Sequence, residues 1–275
     1  MSSPTYVFIH IPKTGGTSLL SFLDYNFGKN EIFSVAKESQ RIFGSSWRNT
    51  PFQERQEAVK NHFFNLPKHK RNNYKIIFGH MEYGWHEALD NPKYISFFRD
   101  PVSRVASLYK YILRREGMDL KNQIQSENIT LKDFVEKNMH PECQNGITKR
   151  LCGSDLYDEN DPVKSLNIAQ ERLAEFEFIG LMEDFDHSLI HFSQLVGARN
   201  LYYDRRNVSQ KDGKQTPDKI IETYNQLDVA LFDQAVQKTK FTLDNDSLLS
   251  TKQINKSSLY HYYLKTSTRI KNVVS

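Results

Sequence analysis

Apolar residues gather in four short runs, 6–11, 75–78, 94–98 and 176–181. Each gives way to a polar or glycine-containing turn, and stretches of helical periodicity lie between them. Runs this short predict buried strands, and strands alternating with helices predict a parallel sheet flanked by helices. The helices follow from the same pattern. Leu19, Leu20, Leu23 and Phe27 fall at helical spacing, predicting a helix that begins near Thr17 and stops at Gly28. Val102, Val105, Tyr109, Ile112 and Leu113 form one apolar face behind Pro101, a residue suited to a first helical position. Phe185, Leu189, Phe192 and Val196 are in phase ahead of a stop at Gly197.

Between the first helix and the second run lies a polar stretch, 30–73, carrying the basic cluster Lys68, His69, Lys70 and Arg71; such a run reads as solvated loop or helix ends. The expected organisation is one domain over 1–245 and a basic tail or packed extension over 246–275, where five Lys or Arg occur without Asp or Glu after position 246. At 275 residues, such a domain can bury a large core without disulfides or metals. A net charge of +4 permits an anionic ligand and does not call for a nucleic acid. Two cysteines, Cys143 and Cys152, give neither a disulfide framework nor a zinc pair and are expected as reduced thiols. No signal-like leader and no membrane-length apolar stretch is seen, so the chain as written is expected in the cytoplasm.

Chemistry enters with Pro12-Lys13-Thr14-Gly15-Gly16-Thr17-Ser18, between the first strand and the first helix. A loop that leaves a parallel strand and opens a helix presents unbonded backbone N–H groups at the positive end of the helix dipole. Gly15 and Gly16 let the backbone approach an anion, Lys13 adds a full charge, and Thr14, Thr17 and Ser18 add hydroxyls. The combination predicts a phosphate or sulfate cradle. It departs from the usual nucleotide loop, in which the lysine follows the second glycine, and no second-strand aspartate stands ready for magnesium.

A second anion site is expected at the end of the 94–98 strand. Arg99 sits where open α/β sheets bind ligands, and Ser107 follows about two helical turns later. The competing reading pairs Arg99 with Asp100 or Glu183 and leaves Ser107 to pack. Two anion sites at one sheet edge suit a ligand with separated phosphates.

Residues 10–18, HIPKTGGTS, resemble the 5′-phosphosulfate loop of sulfotransferases that use 3′-phosphoadenosine-5′-phosphosulfate (PAPS), and residues 98–111, FRDPVSRVASLYKY, resemble their 3′-phosphate motif. The likeness is to the carbohydrate branch that includes the heparan sulfate 2-O- and 6-O-sulfotransferases. Weaker likenesses fall at 144–150, 178–185 and 206–209, then through a helical stretch with Tyr224 and Phe232, so the resemblance spans roughly 5–240. It implies an α/β, P-loop-like three-layer sandwich. It also implies a PAPS donor with its 5′-phosphosulfate on Lys13 to Ser18 and its 3′-phosphate on Arg99 and Ser107, and no metal. The membrane-anchored members carry an N-terminal span that is not seen here, so their acceptor and location do not carry over.

Transfer to a hydroxyl needs a base, and His80, just past the second strand in a Gly79-His80 context, is the expected one. The resemblance gives a histidine there that role, with Lys13 stabilising the leaving oxygen. Glu82 and His86 are rivals or assistants, His86 on an expected following helix, while His10 reads as packed or as loop support. His187 and His191 have metal-ligand spacing but no third ligand. The acceptor pocket is expected from the 30–73 and 114–165 segments and the tail, whose Lys, Arg, Tyr and Trp residues, with Trp47 and Trp85 as flat walls, suit a sugar and equally a lipid headgroup, a small alcohol or a tyrosine; the resemblance implies a glycan or small hydroxyl compound. A nucleoside-triphosphate phosphotransferase and a non-catalytic nucleotide- or glycan-binding module are the alternatives.

Overall fold

The computed structural model describes residues 3–203 and 218–245, with side chains to position 239. In chain order the elements are β1 (Thr5–Ile9), α1 (Gly16–Asn26), β2 (Ile32–Ser34), α2 (Val35–Phe43), α3 (Phe52–Phe64), α4 (Lys68–Arg71), β3 (Ile76–Gly79), β4 (Pro92–Phe98), α5 (Pro101–Arg114), α6 (Asp119–Ser126), α7 (Leu131–Glu136), α8 (Gly146–Cys152), α9 (Pro162–Ala174), β5 (Phe178–Leu181), α10 (Phe185–Leu195), α11 (Asp218–Tyr224) and α12 (Gln226–Asn245). The five strands form one parallel sheet in the order β2-β3-β1-β4-β5. The fold is α/β with helices on both faces of the sheet.

Because side chains alternate across a strand, each central strand feeds two cores. Val7 and Ile9 of β1 pack on one face with Val59 and Phe63 of α3, Leu151 of α8 and Leu173 of α9. Phe8 packs on the other with Leu19, Phe22 and Leu23 of α1 and Phe192 of α10. A third cluster gathers α5, α6, α7 and Ile221 of α11 beside the sheet.

The four expected strands are all present, and the structure adds β2 in the 30–73 segment. That segment is also mostly helical rather than loop, and Arg71 in it is structural, donating to the carbonyls of Phe64, Leu66 and Ala88. His86 lies in a single 3₁₀ turn instead of a following helix. No helix among the described residues is long and apolar enough to cross a membrane. The 246–275 segment and the 206–209 likeness lie outside the described residues.

Candidate active site

The carboxyl ends of β1, β3 and β4 stand side by side at the centre of the sheet, where parallel α/β sheets open their ligand crevices. A cleft of about 1480 Å³ lies there, and Lys13, Gly15 to Ser18, His80, Arg99 and Ser107 all line it. Three separate stretches of sequence thus converge on one cavity.

In the loop, Lys13 and Gly15 take left-handed backbone angles (φ 73° and 75°), and α1 begins at Gly16. Alternation of hand turns successive N–H groups toward one concavity. The Leu19 N–H bonds the Gly15 carbonyl (3.0 Å), and the N–H groups of Gly16 and Thr17 at the start of the helix precede the first intrahelical bond. Thr14 differs from expectation. Its side chain is buried and its hydroxyl donates to the Ile11 carbonyl (2.8 Å), bracing the turn, and Thr14 does not line the cleft. Gly16 is required by its neighbour: a Cβ there would lie 1.9 Å from His10 Nε2. His10 is therefore the floor under the loop.

Arg99 lies at the end of β4, and its Nη1 donates to the Lys13 carbonyl (3.3 Å), tying the end of β4 to the 12–18 loop. The carboxylates that might have claimed it are engaged elsewhere. Asp100 caps α5 by accepting from the Ser103 N–H (2.8 Å), and Glu183 accepts from the Asp100 N–H (2.9 Å). No ion pair of Arg99 is found among the described residues. Ser107 is buried against the cleft, and Ser103, one turn earlier, lines it too. With Tyr111 they make an i, i+4, i+8 stripe on α5 that sequence periodicity held but did not single out.

His80 follows β3, and its ring opens onto the cleft. Its Nδ1 bonds the His10 carbonyl (2.8 Å), and the two imidazoles stack with centroids 4.6 Å apart. A carbonyl only accepts, so Nδ1 carries the proton and Nε2 keeps its lone pair. His80 is itself exposed at the cleft, and desolvation by the groups packed round its ring, then the Arg150 charge, lower its pKa to about 4, against the opposing hydrogen bond to His10. His10 is held well below its usual range by burial and by the His80, Arg150 and Lys13 charges. Lys13 is lowered to about 8 by burial, then by Arg114 and Arg99.

The two rivals of His80 are committed elsewhere. Glu82 accepts from Gln53 Nε2 (2.8 Å), the Ser154 N–H (2.9 Å) and Ser154 Oγ (3.0 Å), and it does not line the cleft. His86 Nδ1 bonds the Tyr94 hydroxyl (2.9 Å) away from the cleft. Trp85 is fully buried against Phe33 and Phe63 and is not a cleft wall, whereas Trp47 is one, with the Arg48 guanidinium 4.7 Å from its ring centroid. His187 Nδ1 is bonded to Asp184 (2.7 Å), and among the described residues no group of three His, Cys, Asp or Glu is placed to hold a metal.

Sequence reasoning missed the floor beyond His80. Arg104, fully buried, pairs with Glu142 (3.2 Å) and Asp228 (3.1 Å), and Glu142 pairs with Arg150. Burial alone would raise the Glu142 pKa, but Arg150 and Arg104 hold it below its usual value. Arg150 Nε and Nη1 are buried without a partner, and Arg150 and Arg55 both line the cleft.

Compared with known families, residues 3–249 match the model described as the sulfotransferase family. No curated protein matches the chain.

Proposed function

The chain belongs to the sulfotransferase family, and from that premise we propose that it moves a sulfuryl group from PAPS to a hydroxyl, with His80 as base. The observation that carries the reading is the convergence of the Lys13–Ser18 loop, Arg99 with Ser107, and His80 on one cleft. The loop's first-turn N–H groups and Lys13 suit a 5′-phosphosulfate. Arg99, short of an ion-pair partner among the described residues, suits the 3′-phosphate, with Ser107 and Ser103 as hydroxyl donors on the same helix face.

The chemistry balances on these residues. The acceptor oxygen bonds to sulfur as the bond from sulfur to the bridging phosphate oxygen breaks, and that oxygen keeps the electron pair. His80 Nε2 takes the acceptor proton, its tautomer fixed by the His10 carbonyl. The Lys13 ammonium stabilises the charge left on the bridging oxygen. For the acceptor we propose a carbohydrate. Trp47 offers a flat face, and Asn49, Gln53 and Arg55 offer polar groups from the same segment on the cleft wall.

Calorimetric titration with 3′-phosphoadenosine-5′-phosphate (PAP), against ADP and Mg-ATP, tests the donor assignment without any acceptor. Tight binding of PAP in the absence of metal is expected. Preference for Mg-ATP overturns the reading and favours a phosphotransferase. In the same titration Arg99→Ala is expected to weaken PAP by about 1.5–3 kcal/mol, the worth of a hydrogen bond to a charged group, and to leave ADP unaffected. Equal losses for both nucleotides would remove Arg99 from the 3′-phosphate.

A further inference from the structure

Lys13 is a cation among cations. Arg99 at the end of β4 and Arg114 on α5 both oppose its charge, and His10 lies beneath its loop. Glu116, Asp119 and Glu183 line the same cleft, yet no carboxylate among the described residues forms an ion pair with Lys13. One favourable contact of the ammonium stands out: Nζ lies 4.0 Å from the centroid of the Tyr111 ring. A cation over an aromatic face is attracted by the ring quadrupole, most strongly where water is excluded.

The ring is itself held. Arg115 Nη1 donates to the Tyr111 hydroxyl, and its guanidinium carbon stands 5.5 Å from the ring centroid. Tyr111 lies one turn beyond Ser107 on the cleft-lining stripe of α5. The backbone of Lys13 is fixed separately, in a left-handed conformation with its carbonyl accepting from Arg99. Backbone and ammonium are therefore anchored to two different parts of the 3′-phosphate motif, Arg99 at its head and Tyr111 at its end.

We propose that Tyr111 is a positioning residue for sulfuryl transfer: its ring keeps the Lys13 ammonium charged and directed into the donor cleft. The inference rests on the reading of Lys13 as the residue that meets the donor's 5′ end. Donor binding then requires no search by a flexible lysine, because the charge waits near its place of use.

The test is the pH dependence of PAP affinity, with Lys13 itself followed by NMR of ¹³Cε-labelled lysine and its signal identified by its loss in Lys13→Arg. Tyr111→Leu still shields the ammonium from water but removes the ring. It is expected to weaken PAP binding at pH 7.5 about threefold to thirtyfold and to bring the Lys13 midpoint down by about one pH unit, the shift equivalent to that loss. Tyr111→Phe keeps the ring face and is expected to follow the wild-type protein in both measurements. An unmoved Lys13 midpoint in Tyr111→Leu overturns the proposal, even if affinity falls, since the ring would then only fill space. Tyr111→Met, also without a ring, replaces the leucine variant if that one melts early. Lys13→Ala separates the two layers. If it leaves PAP affinity and its pH dependence intact, Lys13 does not meet the donor and the underlying reading fails; if it removes both while Tyr111→Leu changes nothing, only the role of Tyr111 is lost.

Discussion

Replacing His80 by alanine is expected to lower turnover by about 10²–10⁴-fold, the usual worth of a positioned general base, while leaving PAP affinity unchanged. The split follows from geometry. His80 is reached from the cleft, but its one described hydrogen bond is to the His10 carbonyl and not to the phosphate loop. Label transfer from PAPS to an acceptor drawn from a glycan screen gives the turnover, and calorimetry gives the affinity. Loss of PAP binding together with turnover would make His80 a structural histidine that supports β3 and His10.

The same assignment fixes a pH profile. As the proposed base, His80 would act only when neutral, and its pKa is lowered to about 4, so it would be ready throughout the range above that value. In its proposed role Lys13 would act only when charged, and its pKa is lowered to about 8. The kcat/KM for PAPS, which reports the free enzyme, should therefore rise with pH as His80 loses its proton near pH 4 and fall as Lys13 loses its own near pH 8. An acid limb at the ordinary histidine value of about 6.5 would show that the Arg150 charge and the packing round the ring do not lower the His80 pKa. Bound PAPS brings negative charge beside both groups and raises both pKa values, so the limbs of kcat should lie at higher pH than those of kcat/KM.

Much of this site could be read from the chain because its parts are local. The loop is one strand, one turn and one helix start in succession, so lysine, glycines and hydroxyls announce it within 12–18. Arg99 and Ser107 share one strand–helix junction, and His80 follows a strand. The pattern was silent where contacts are distant or elements short. β2 has three residues, too few for alternation to register, and it is identified only by pairing with β3. The helices of the 30–73 segment carry mostly polar residues, because each buries only a narrow strip; α2, for one, buries Val35 and Ser39 alone. Trp85 looked like a wall for a sugar because tryptophan often is one, but its ring was needed to fill the core under β2 and α3. Glu82 looked like a partner for His80 because it lies two residues away, yet its carboxylate turns to Ser154, which is 72 residues distant.

The buried charges show the same limit and carry the second large effect. Asp228, fully buried, accepts from the Ile147 N–H (3.0 Å), the Thr148 N–H (2.8 Å), the Thr148 hydroxyl (2.8 Å) and Arg104 Nη2 (3.1 Å). One carboxylate thus caps α8, pairs with a fully buried arginine of α5 and bolts α12 to both. Beside it, Asn225 accepts from the Asn145 N–H (2.9 Å), and Asn145 accepts in turn from the Leu227 N–H (3.2 Å). Asp228→Ala leaves the Arg104 charge half-compensated and the start of α8 uncapped, in a site closed to water. Breaking one side of a buried ion pair costs about 3–5 kcal/mol, a large part of the roughly 5–15 kcal/mol that holds a domain folded. The urea midpoint should fall accordingly, with a smaller fall for Asp228→Asn, which keeps an acceptor for one α8 N–H. An unchanged midpoint in Asp228→Ala would mean that water reaches Arg104 and that the cleft floor does not depend on α12. The expected fall would instead make Glu142 and Arg150 part of a rigid base, set by a residue 124 positions from Arg104.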